Sequence, residues 1–375
     1  MYKYNVKFCL FLLNMSGLHP EKTGCRFQDI LFFLAMSSNV IVFGLTVSFI
    51  LFSANTNLTD VTSSMESLLL IVHGFLKTIN LYSQRFKLKK LLRQLPNFWK
   101  IDQVEDEAVK AACFGTMRTL RALTVVYTIL AGSSVAAIAV LPILSKKLVF
   151  TSYIPEDIPY NCLFALHTYA YIMGVFNAVI GTDYLYMTLV LLIKLQFQLL
   201  NYDIRNLFPI VAPQDVKTLH HRIKHWVDYH NYMLDFVRLF NEIFSLALFF
   251  YFGIIILATC MELFIISIQP PGSNSFKYYT YTFVLFFEFI AFYCLPGQIV
   301  INEAEKIRYN IWASDWKECP STSVKTAMNM ILMRSQQTVS IRAGIVDANF
   351  QTCLATLKTI SSYYMFLRTM SEGTN

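Results

Sequence analysis

ILFFLAMSSNVIVFGLTVSFILF, residues 30–52, is a run of 23 residues without a charged side chain. A helix of about 20 residues crosses the roughly 30 Å hydrocarbon core of a bilayer. The whole chain shares this character, because 55% of its 375 residues are hydrophobic and only 15% are charged. Its mean hydropathy is +0.47. These values exclude an ordinary soluble globular protein and predict a membrane protein with several spans.

Six further stretches are long and apolar enough to cross the bilayer as helices. The seven predicted spans are residues 30–52, 65–82, 123–144, 163–193, 243–268, 279–301 and 343–367. With the N-terminus inside, 25 of the 31 Lys and Arg residues fall on the inner side, as the positive-inside rule requires. The predicted fold is therefore an all-α membrane protein with seven transmembrane helices, a cytoplasmic N-terminus and an extracellular C-terminus.

This orientation has consequences for the segments between the spans. The sequon Asn57-Leu58-Thr59 falls in the first outer loop, so Asn57 is a predicted glycosylation site. The inner segments are long, and residues 217–240 carry apolar side chains at helix spacing, which predicts a cytoplasmic layer of helices. The net charge of +7 is then a topology signal and indicates no nucleic-acid partner.

We expect a single domain over residues 1–375, because no linker, internal repeat or low-complexity tract divides the chain. Within it, residues 1–301 are predicted to form the first six helices. Residues 302–342 form the predicted cytoplasmic anchor region, and residues 343–375 form the seventh helix and the tail.

A histidine cluster is the most enzyme-like feature of the chain. His221 and His225 lie one helical turn apart, as zinc ligands often do. Arg222 stands where a zinc protease needs glutamate, and no glycine-rich phosphate loop or nucleophile elbow is present. We interpret the cluster, which also includes His220 and His230, as the solvated face of a cytoplasmic helix. The sequence predicts no enzyme, no catalytic residue, no cofactor and no metal site.

Charged residues within the spans need partners or water, because each costs about 2.5 to 3.5 kcal/mol at the bilayer centre. Lys77 lies near the inner end of its helix, so we predict that its side chain reaches the headgroup region. Asp183 neighbours two tyrosines and is predicted to lie in an interhelical hydrogen-bond network. The third span, 123–144, has no charge, so Lys358 lacks the acidic counter-ion that a retinal Schiff base would need.

The last span contains ATLKTISSYYMFLR, residues 355–368, which is too polar for contact with lipid alone. One side of this helix is predicted to carry the polar residues Gln351, Thr352, Lys358, Thr359, Ser362 and Thr369. Such a hydrated stripe is typical of a water-filled path. Since one helix cannot enclose water, we predict that several copies line a pore around a shared axis. Four copies of Lys358 would oppose cation flow, whereas uncharged partners in a mixed assembly would dilute that barrier.

An ordered set of motifs near the C-terminus resembles the signature of insect odorant receptors. It consists of Leu295-Pro296-Gly297-Gln298, Glu303, Trp312, Trp316, Met333-Arg334-Ser335-Gln336, Ala343-Gly344 and Ser362-Tyr363-Tyr364. The resemblance implies a ligand-gated nonselective cation channel in which odour-tuning subunits form heterotetramers with a co-receptor, Orco. It implies a location in the plasma membrane of olfactory sensory neuron dendrites, with membrane lipid around the assembly. The chain lacks the long segment that the co-receptor carries between its fourth and fifth helices, so it resembles a tuning subunit.

The resemblance also implies two sites. In the family the odour pocket lies in the outer half of each subunit, where a small apolar or aromatic volatile would bind. The residues at that depth here are Leu69, His73, Ser133, Ala136, Val140, Tyr169, Met173, Tyr278 and Tyr281. The implied pore and gate residues are Gln351, Lys358, Ser362, Phe366 and Thr369. Phe366 stands where the family has an aliphatic side chain at the constriction.

Three other functions fit the sequence less well. A metabotropic seven-helix chemoreceptor would need the opposite orientation, with 25 basic residues outside. A gustatory receptor-like channel usually carries the seventh-helix pattern T-Y-h-h-h-h-Q-F, which residues 362–368 do not follow. A transporter is disfavoured because no pair of Gly/Pro-broken helices recurs in two halves of the chain.

Overall fold

The computed structural model of the chain describes residues 2–22, 24–52, 58–145, 148–208, 216–268 and 273–373. Nearly all regular structure in these ranges is helical, which confirms the predicted all-α class. The exception is a small antiparallel hairpin of β1 (Arg342–Ala343) and β2 (Val346–Asp347), in which Arg342 pairs with Asp347. The predicted glycosylation site Asn57 lies outside the described residues.

Twelve α-helices are present in the described ranges. They are α1 (Tyr2–Met15), α2 (Arg26–Phe52), α3 (Leu58–Ser83), α4 (Arg85–Gln94), α5 (Glu107–Ser145), α6 (Tyr160–Tyr169), α7 (Asn177–Arg205), α8 (Val216–Ile268), α9 (Ser273–Glu288), α10 (Leu295–Ala313), α11 (Thr322–Arg334) and α12 (Phe350–Gly373). The π-helical segment Ala170–Phe176 joins α6 to α7. A second π-helical segment, Phe289–Cys294, joins α9 to α10. Single 3₁₀ turns occupy Pro20–Lys22, Leu95–Asn97, Ile101–Gln103 and Asp315–Glu318.

Four helical segments of the described chain are long and apolar enough to cross a membrane. They are Arg26–Phe52, Tyr160–Arg205, Val216–Ser267 and Tyr281–Glu318, which contain or overlap the first, fourth, fifth and sixth predicted spans. Two other predicted spans, 65–82 and 123–144, fall on α3 and α5. The start of the last predicted span, 343–367, is wrong, because the chain turns at the positive-φ Gly344 to form the hairpin of β1 and β2, and α12 begins only at Phe350. The count of seven spans, their orientation and the division of the chain into three regions therefore stay predictions.

The centre of the bundle is α7. Every side chain from Asn177 to Ile193 is buried, because α7 packs against α1, α3, α5, α8 and α10. A helix that is largely apolar on all sides lies in a protein core or in a membrane, and the helices around α7 bury it. The close packing is visible at Gly181, where an added Cβ would lie 2.8 Å from Cδ2 of Leu13 on α1.

The predicted cytoplasmic helices form a packed layer. The first half of α8 precedes the predicted span 243–268, as expected from its periodicity. Trp226 on this half is fully buried, and its indole Nε1 donates to the Leu200 carbonyl oxygen at 3.0 Å. Asn201 on α7 donates to the Glu303 carbonyl oxygen on α10 at 2.8 Å. Within the predicted anchor region 302–342, α11 follows Pro320, and the Ser321 hydroxyl at its start accepts from the Val324 N–H.

Candidate functional site

Three charged side chains meet in the interior of the bundle. The ammonium of Lys77 on α3 lies 2.5 Å from Asp183 Oδ1 on α7 and 2.8 Å from Glu288 Oε1 at the end of α9. All three side chains are buried. The prediction that Lys77 reaches the headgroup region is wrong, because two carboxylates at the same depth provide partners that hydrocarbon cannot. We call Lys77, Asp183 and Glu288 the ion triad.

Tyrosines from three other parts of the bundle surround the ion triad. Tyr127 on α5 donates to Asp183 Oδ2 at 3.0 Å, and Tyr293 in the second π-helical segment donates to Asp183 Oδ1. The Lys77 ammonium lies 4.3 Å from the ring centroid of Tyr251 on α8. The predicted interhelical network at Asp183 is thus confirmed. Its tyrosine members were not predicted, because they lie far from Asp183 in the sequence.

The predicted odour residues occupy different environments. His73 is buried, and its ring stacks on Tyr251 with centroids 4.4 Å apart. Leu69, Tyr169, Met173 and Tyr281 are half-buried, whereas Ser133 is exposed and donates to the Leu130 carbonyl oxygen. The side chains of three further predicted members lie outside the described part of the chain: Ala136, Val140 and Tyr278. The odour site as a whole stays a prediction.

The last helix, α12, packs through one narrow face. Cys353, Thr356 and Ile360 are buried, at the three- and four-residue spacing of a helix face. They lie toward α8 and the π-helical segment Phe289–Cys294, and the Cys260 thiol donates to the Ile360 carbonyl oxygen at 3.7 Å. All five predicted pore residues are exposed: Gln351, Lys358, Ser362, Phe366 and Thr369.

These five residues lie on the side of α12 opposite its buried face. A helix turns about 100° per residue, so Lys358 and Ser362 point roughly 140° to 180° away from Cys353. Consecutive members of these five residues are seven, four, four and three positions apart in the sequence. Such separations place all five along one stripe of the helix surface. We call the four polar members of this stripe, Gln351, Lys358, Ser362 and Thr369, the polar face of α12. The structure brings its members together on one surface, and their role in conduction stays a prediction.

The motif residues near the C-terminus position the start of α12. Gly297 comes so close to the chain before α12 that an added Cβ would lie 1.8 Å from the Ala348 carbonyl oxygen. Gln298 accepts the first backbone N–H of α12, that of Phe350, at 3.3 Å. Gly344 has a φ of 63°, which glycine adopts readily, and donates its N–H to Ser245 on α8 at 2.9 Å. The motifs therefore link α12 to α8 and α10.

The histidines of the cluster lie in different surroundings. No group of three or more potential ligands occurs among the described residues. His221 and His225 are exposed, as predicted, and His225 stacks on Trp99 with centroids 5.6 Å apart. His230 contradicts the interpretation as a solvated face, because it is buried and stacks on Trp226 at 4.9 Å.

His19 lies outside the predicted spans and is affected by its surroundings. His19 lies between α1 and α2, where the Glu21 N–H donates to its Nδ1 at 3.3 Å. Partial burial, and then the positive charge of Lys22, lower the pKa of His19 below its ordinary value. The neutral imidazole is favoured there.

Comparison with known proteins identifies the family. The sequence model of the family described as "7tm Odorant receptor" matches residues 57–361. Odorant receptor 22c of Drosophila melanogaster is 22% identical over 181 residues, which are 46% of this chain. That alignment spans only 44% of the length of the Drosophila receptor.

Two solved structures share the fold. The olfactory receptor OR5 of Machilis hrabei in complex with eugenol superposes with a TM-score of 0.81 over 98% of both chains, at 14% identity. A second structure of the same receptor gives a TM-score of 0.78 over 97% of both chains, also at 14% identity. Since the family model matches most of the chain, this protein belongs to the insect odorant receptor family, whose members are membrane receptors and not enzymes.

Proposed function

We propose that the chain is the odour-tuning subunit of a heteromeric ligand-gated nonselective cation channel. It assembles as a heterotetramer with the co-receptor Orco in the dendritic plasma membrane of olfactory sensory neurons. A small apolar or aromatic volatile binds in the outer half of the helix bundle and opens a central pore. The observation that carries this proposal is the polar face of α12, which no other part of the described chain covers.

The polar face supports a pore because a lipid environment would not suit it. Lys358 and Gln351 would be costly to expose to hydrocarbon, whereas water solvates both. The flanks of the same helix differ from this face. Phe350, Leu354 and Tyr363 are each at least half exposed, and such apolar flanks suit contact with neighbouring subunits. The helix α12 therefore has one polar face, apolar flanks and one face packed against the rest of the bundle. This pattern is expected of a helix that lines a pore.

The heteromeric assembly follows from the charge of Lys358. Four identical subunits would place four ammonium groups around one axis and raise a barrier to cations. A subunit with a neutral residue at this position lowers that barrier. The proposal therefore assigns the co-receptor a part in conduction and assigns this chain the choice of ligand.

The ligand class follows from the side chains at the predicted odour site. His73, Tyr169, Met173 and Tyr281 combine aromatic and thioether surface with a few hydrogen-bonding groups. Such a set binds small volatiles through dispersion and shape. The Machilis hrabei receptor, in complex with eugenol, is a protein of the same fold with an aromatic ligand.

The decisive experiment is co-expression of this chain with the co-receptor, followed by recording over an odour panel. We expect an odour-evoked nonselective cation current that requires both chains. Normal surface expression with an odour response that depends on a G protein, and no current of its own, would contradict the channel. An epitope tag at Asn375 should stain unpermeabilised cells, and staining only after permeabilisation would contradict the orientation.

The odour site has its own test. Tyr281→Phe and Met173→Ala should change the ranking of odours while leaving the single-channel conductance unchanged. Ser37→Ala is the matched control, because Ser37 on α2 is exposed and donates only to the Leu34 carbonyl oxygen. An unchanged odour ranking in both site variants would remove these residues from the proposed site.

A further inference from the structure

The short helix α4 is basic and amphipathic. Five of its ten residues are Lys or Arg, and none is acidic. One side packs against the bundle through three buried leucines, Leu88, Leu91 and Leu92. The opposite side is exposed and carries Phe86, Lys90 and Arg93, because separations of three and four residues place side chains on one side of a helix. We call these three residues the basic face of α4.

Two ion pairs fix the level of α4 relative to the membrane. The guanidinium of Arg85, the first residue of α4, lies 3.0 Å from the carboxylate of Asp29, which directly precedes the first predicted span. The ammonium of Lys87 lies 3.0 Å from the carboxylate of Glu242, which directly precedes the fifth predicted span. The N-terminal end of α4 therefore lies at the level where two neighbouring spans enter the membrane.

From this level α4 runs beside the first half of α8, away from the predicted spans. The Tyr232 hydroxyl, on the part of α8 that precedes the span, donates to the Gln94 carbonyl oxygen at 2.8 Å. At about 1.5 Å per residue, Lys90 and Arg93 lie about 4 to 9 Å further along the helix than Lys87, and the headgroup layer is about 5 to 8 Å thick. Helical side chains point toward the N-terminus of their helix, so both basic side chains point back toward the membrane.

The positive charges of the basic face are not balanced within the described part of the chain. Arg85 and Lys87 pair with carboxylates, whereas no salt bridge to Lys90 or Arg93 occurs among the described residues. Two such cations on one face, close to the membrane surface, attract the lipids of an anionic leaflet.

An apolar surface adjoins the basic face and favours a lipid over an acidic protein as its partner. Phe86 is 66% exposed, and Phe33 on α2 is 60% exposed. Tyr82 connects the two regions, because its ring centroid lies 6.2 Å from that of Phe33 and 4.1 Å from the guanidinium carbon of Arg85. Since Phe33 belongs to the first predicted span, the surface beside α4 is one that acyl chains can contact. An acidic protein would need no such apolar neighbour.

We propose that the basic face of α4 binds the headgroups of anionic phospholipids in the cytoplasmic leaflet. The Lys90 ammonium and the Arg93 guanidinium bond the phosphate and carboxylate oxygens of these headgroups. The Phe86 ring inserts at the start of the acyl chains. Anionic lipids concentrate in the cytoplasmic leaflet, so the inference rests on the proposed orientation of the chain and names a lipid class for it.

Binding of fluorescent lipids to the full-length chain, purified in a neutral detergent, tests the proposal. The probes are phosphatidylserine, which is anionic, and phosphatidylcholine, which has no net charge. We expect phosphatidylserine to bind more tightly, and raised salt to weaken that preference. The double variant Lys90→Gln and Arg93→Gln should lower the affinity for phosphatidylserine at least about fivefold and leave the affinity for phosphatidylcholine nearly unchanged.

A matched control removes two charges far from the membrane. Lys217 and Lys224 on α8 are exposed, and no salt bridge to either occurs among the described residues. Lys224 precedes the predicted span by about 30 Å of helix, so Lys217→Gln with Lys224→Gln should leave the affinity for phosphatidylserine unchanged. Equal losses in the two double variants would overturn the proposal. So would an unchanged chain that shows no preference for phosphatidylserine, as expected of a face that binds an acidic protein.

The apolar part of the site has its own variant. Phe86→Ser should lower the affinity for both lipids, because acyl chains are common to the two probes, and unchanged affinities would overturn the insertion of Phe86. These measurements use the chain without its co-receptor and in detergent, so an error in the proposed assembly or orientation would not alter them. Staining of the tag at Asn375 tests the orientation separately.

Discussion

Lys77 and Lys358 are both lysines in helices that the sequence places in the membrane, yet the protein accommodates them in opposite ways. Lys77 is buried and bonded to two carboxylates. Lys358 is exposed, and no salt bridge to it occurs among the described residues. A lysine inside a bundle needs protein partners, whereas a lysine beside a proposed water column is solvated. The contrast separates the structural role of Lys77 from the proposed role of Lys358 in conduction.

The largest effect is expected from Lys77→Met. The substitution leaves Asp183 and Glu288 buried without their cation, which costs about 3 to 5 kcal/mol. We expect loss of surface expression, measured by biotinylation, and a strongly lowered midpoint of thermal unfolding. Lys87→Met is the matched control, because Lys87 pairs with Glu242 at the surface with both side chains about half exposed, and such pairs contribute about 0 to 1 kcal/mol.

A second variant shows whether the charge is the cause. Adding Asp183→Asn and Glu288→Gln to Lys77→Met removes the uncompensated charges, so part of the lost stability should return. If the triple variant is no more stable than Lys77→Met, the packing of the lysine stem, and not its charge, holds α3 in place.

An intermediate effect is expected from Gly297→Ala, which tests how α12 is positioned. The new Cβ would lie 1.8 Å from the Ala348 carbonyl oxygen, so the backbone before α12 must shift. Overpacking of this kind costs about 1 to 3 kcal/mol. We expect altered gating in patch-clamp recordings together with a lower unfolding midpoint. Gly253→Ala is the control, since an added Cβ there meets nothing within 4 Å, and equal effects of both changes would contradict the close approach.

Lys358→Gln should have almost no effect on folding. An exposed substitution without a lost partner usually changes stability by less than about 0.5 kcal/mol. Because it removes a positive charge from the proposed pore, cation conductance should rise in single-channel recordings with the co-receptor. Lys325→Gln on α11 is the control for a change of net charge. A large loss of stability with unchanged conductance would place Lys358 in a contact between subunits and not in the pore.

The smallest predicted effect is a change of the unfolding midpoint with pH. Because partial burial and Lys22 lower the pKa of His19, the folded protein binds this proton less readily than the unfolded chain does. The stabilising contribution of neutral His19 is therefore complete above about pH 6.5. It is lost as the pH falls through the lowered pKa of the folded state. We expect a small drop in the unfolding midpoint on acidification, reduced in His19→Gln. An equal drop in both proteins would assign it to other groups.

The sequence predicted several features of the fold and site correctly for local reasons. The length and apolar character of residues 30–52, 163–193 and 243–268 indicated helices that the structure contains. Gln351, Lys358, Ser362 and Thr369 lie on one exposed face, as helical spacing indicated, whereas Thr352 and Thr359, which were predicted on the same side, are half-buried. Asp183 was placed in a network because a buried carboxylate beside tyrosines rarely lacks partners.

The errors concerned residues whose surroundings come from distant parts of the chain. Lys77 was assigned to the headgroup region because its position within α3 was known and its partners were not. His230 was assigned to a solvated face together with the other histidines of the cluster, of which His221 and His225 are exposed. Gly297 could be recognised as part of a family motif, but its close approach to Ala348 could not be inferred from the sequence. In each case the deciding neighbour lies on another element.

The sequence alone determined the membrane class, the helical elements and the family, because composition, periodicity and short motifs are local properties. Only the tertiary structure decided which polar groups are paired, which are stacked and which are left uncovered. The bonds from Lys77 reach across 106 residues to Asp183 and 211 residues to Glu288. No local pattern specifies contacts at such separations, since they form only when the packing of α3, α7 and α9 brings three costly charges to one depth.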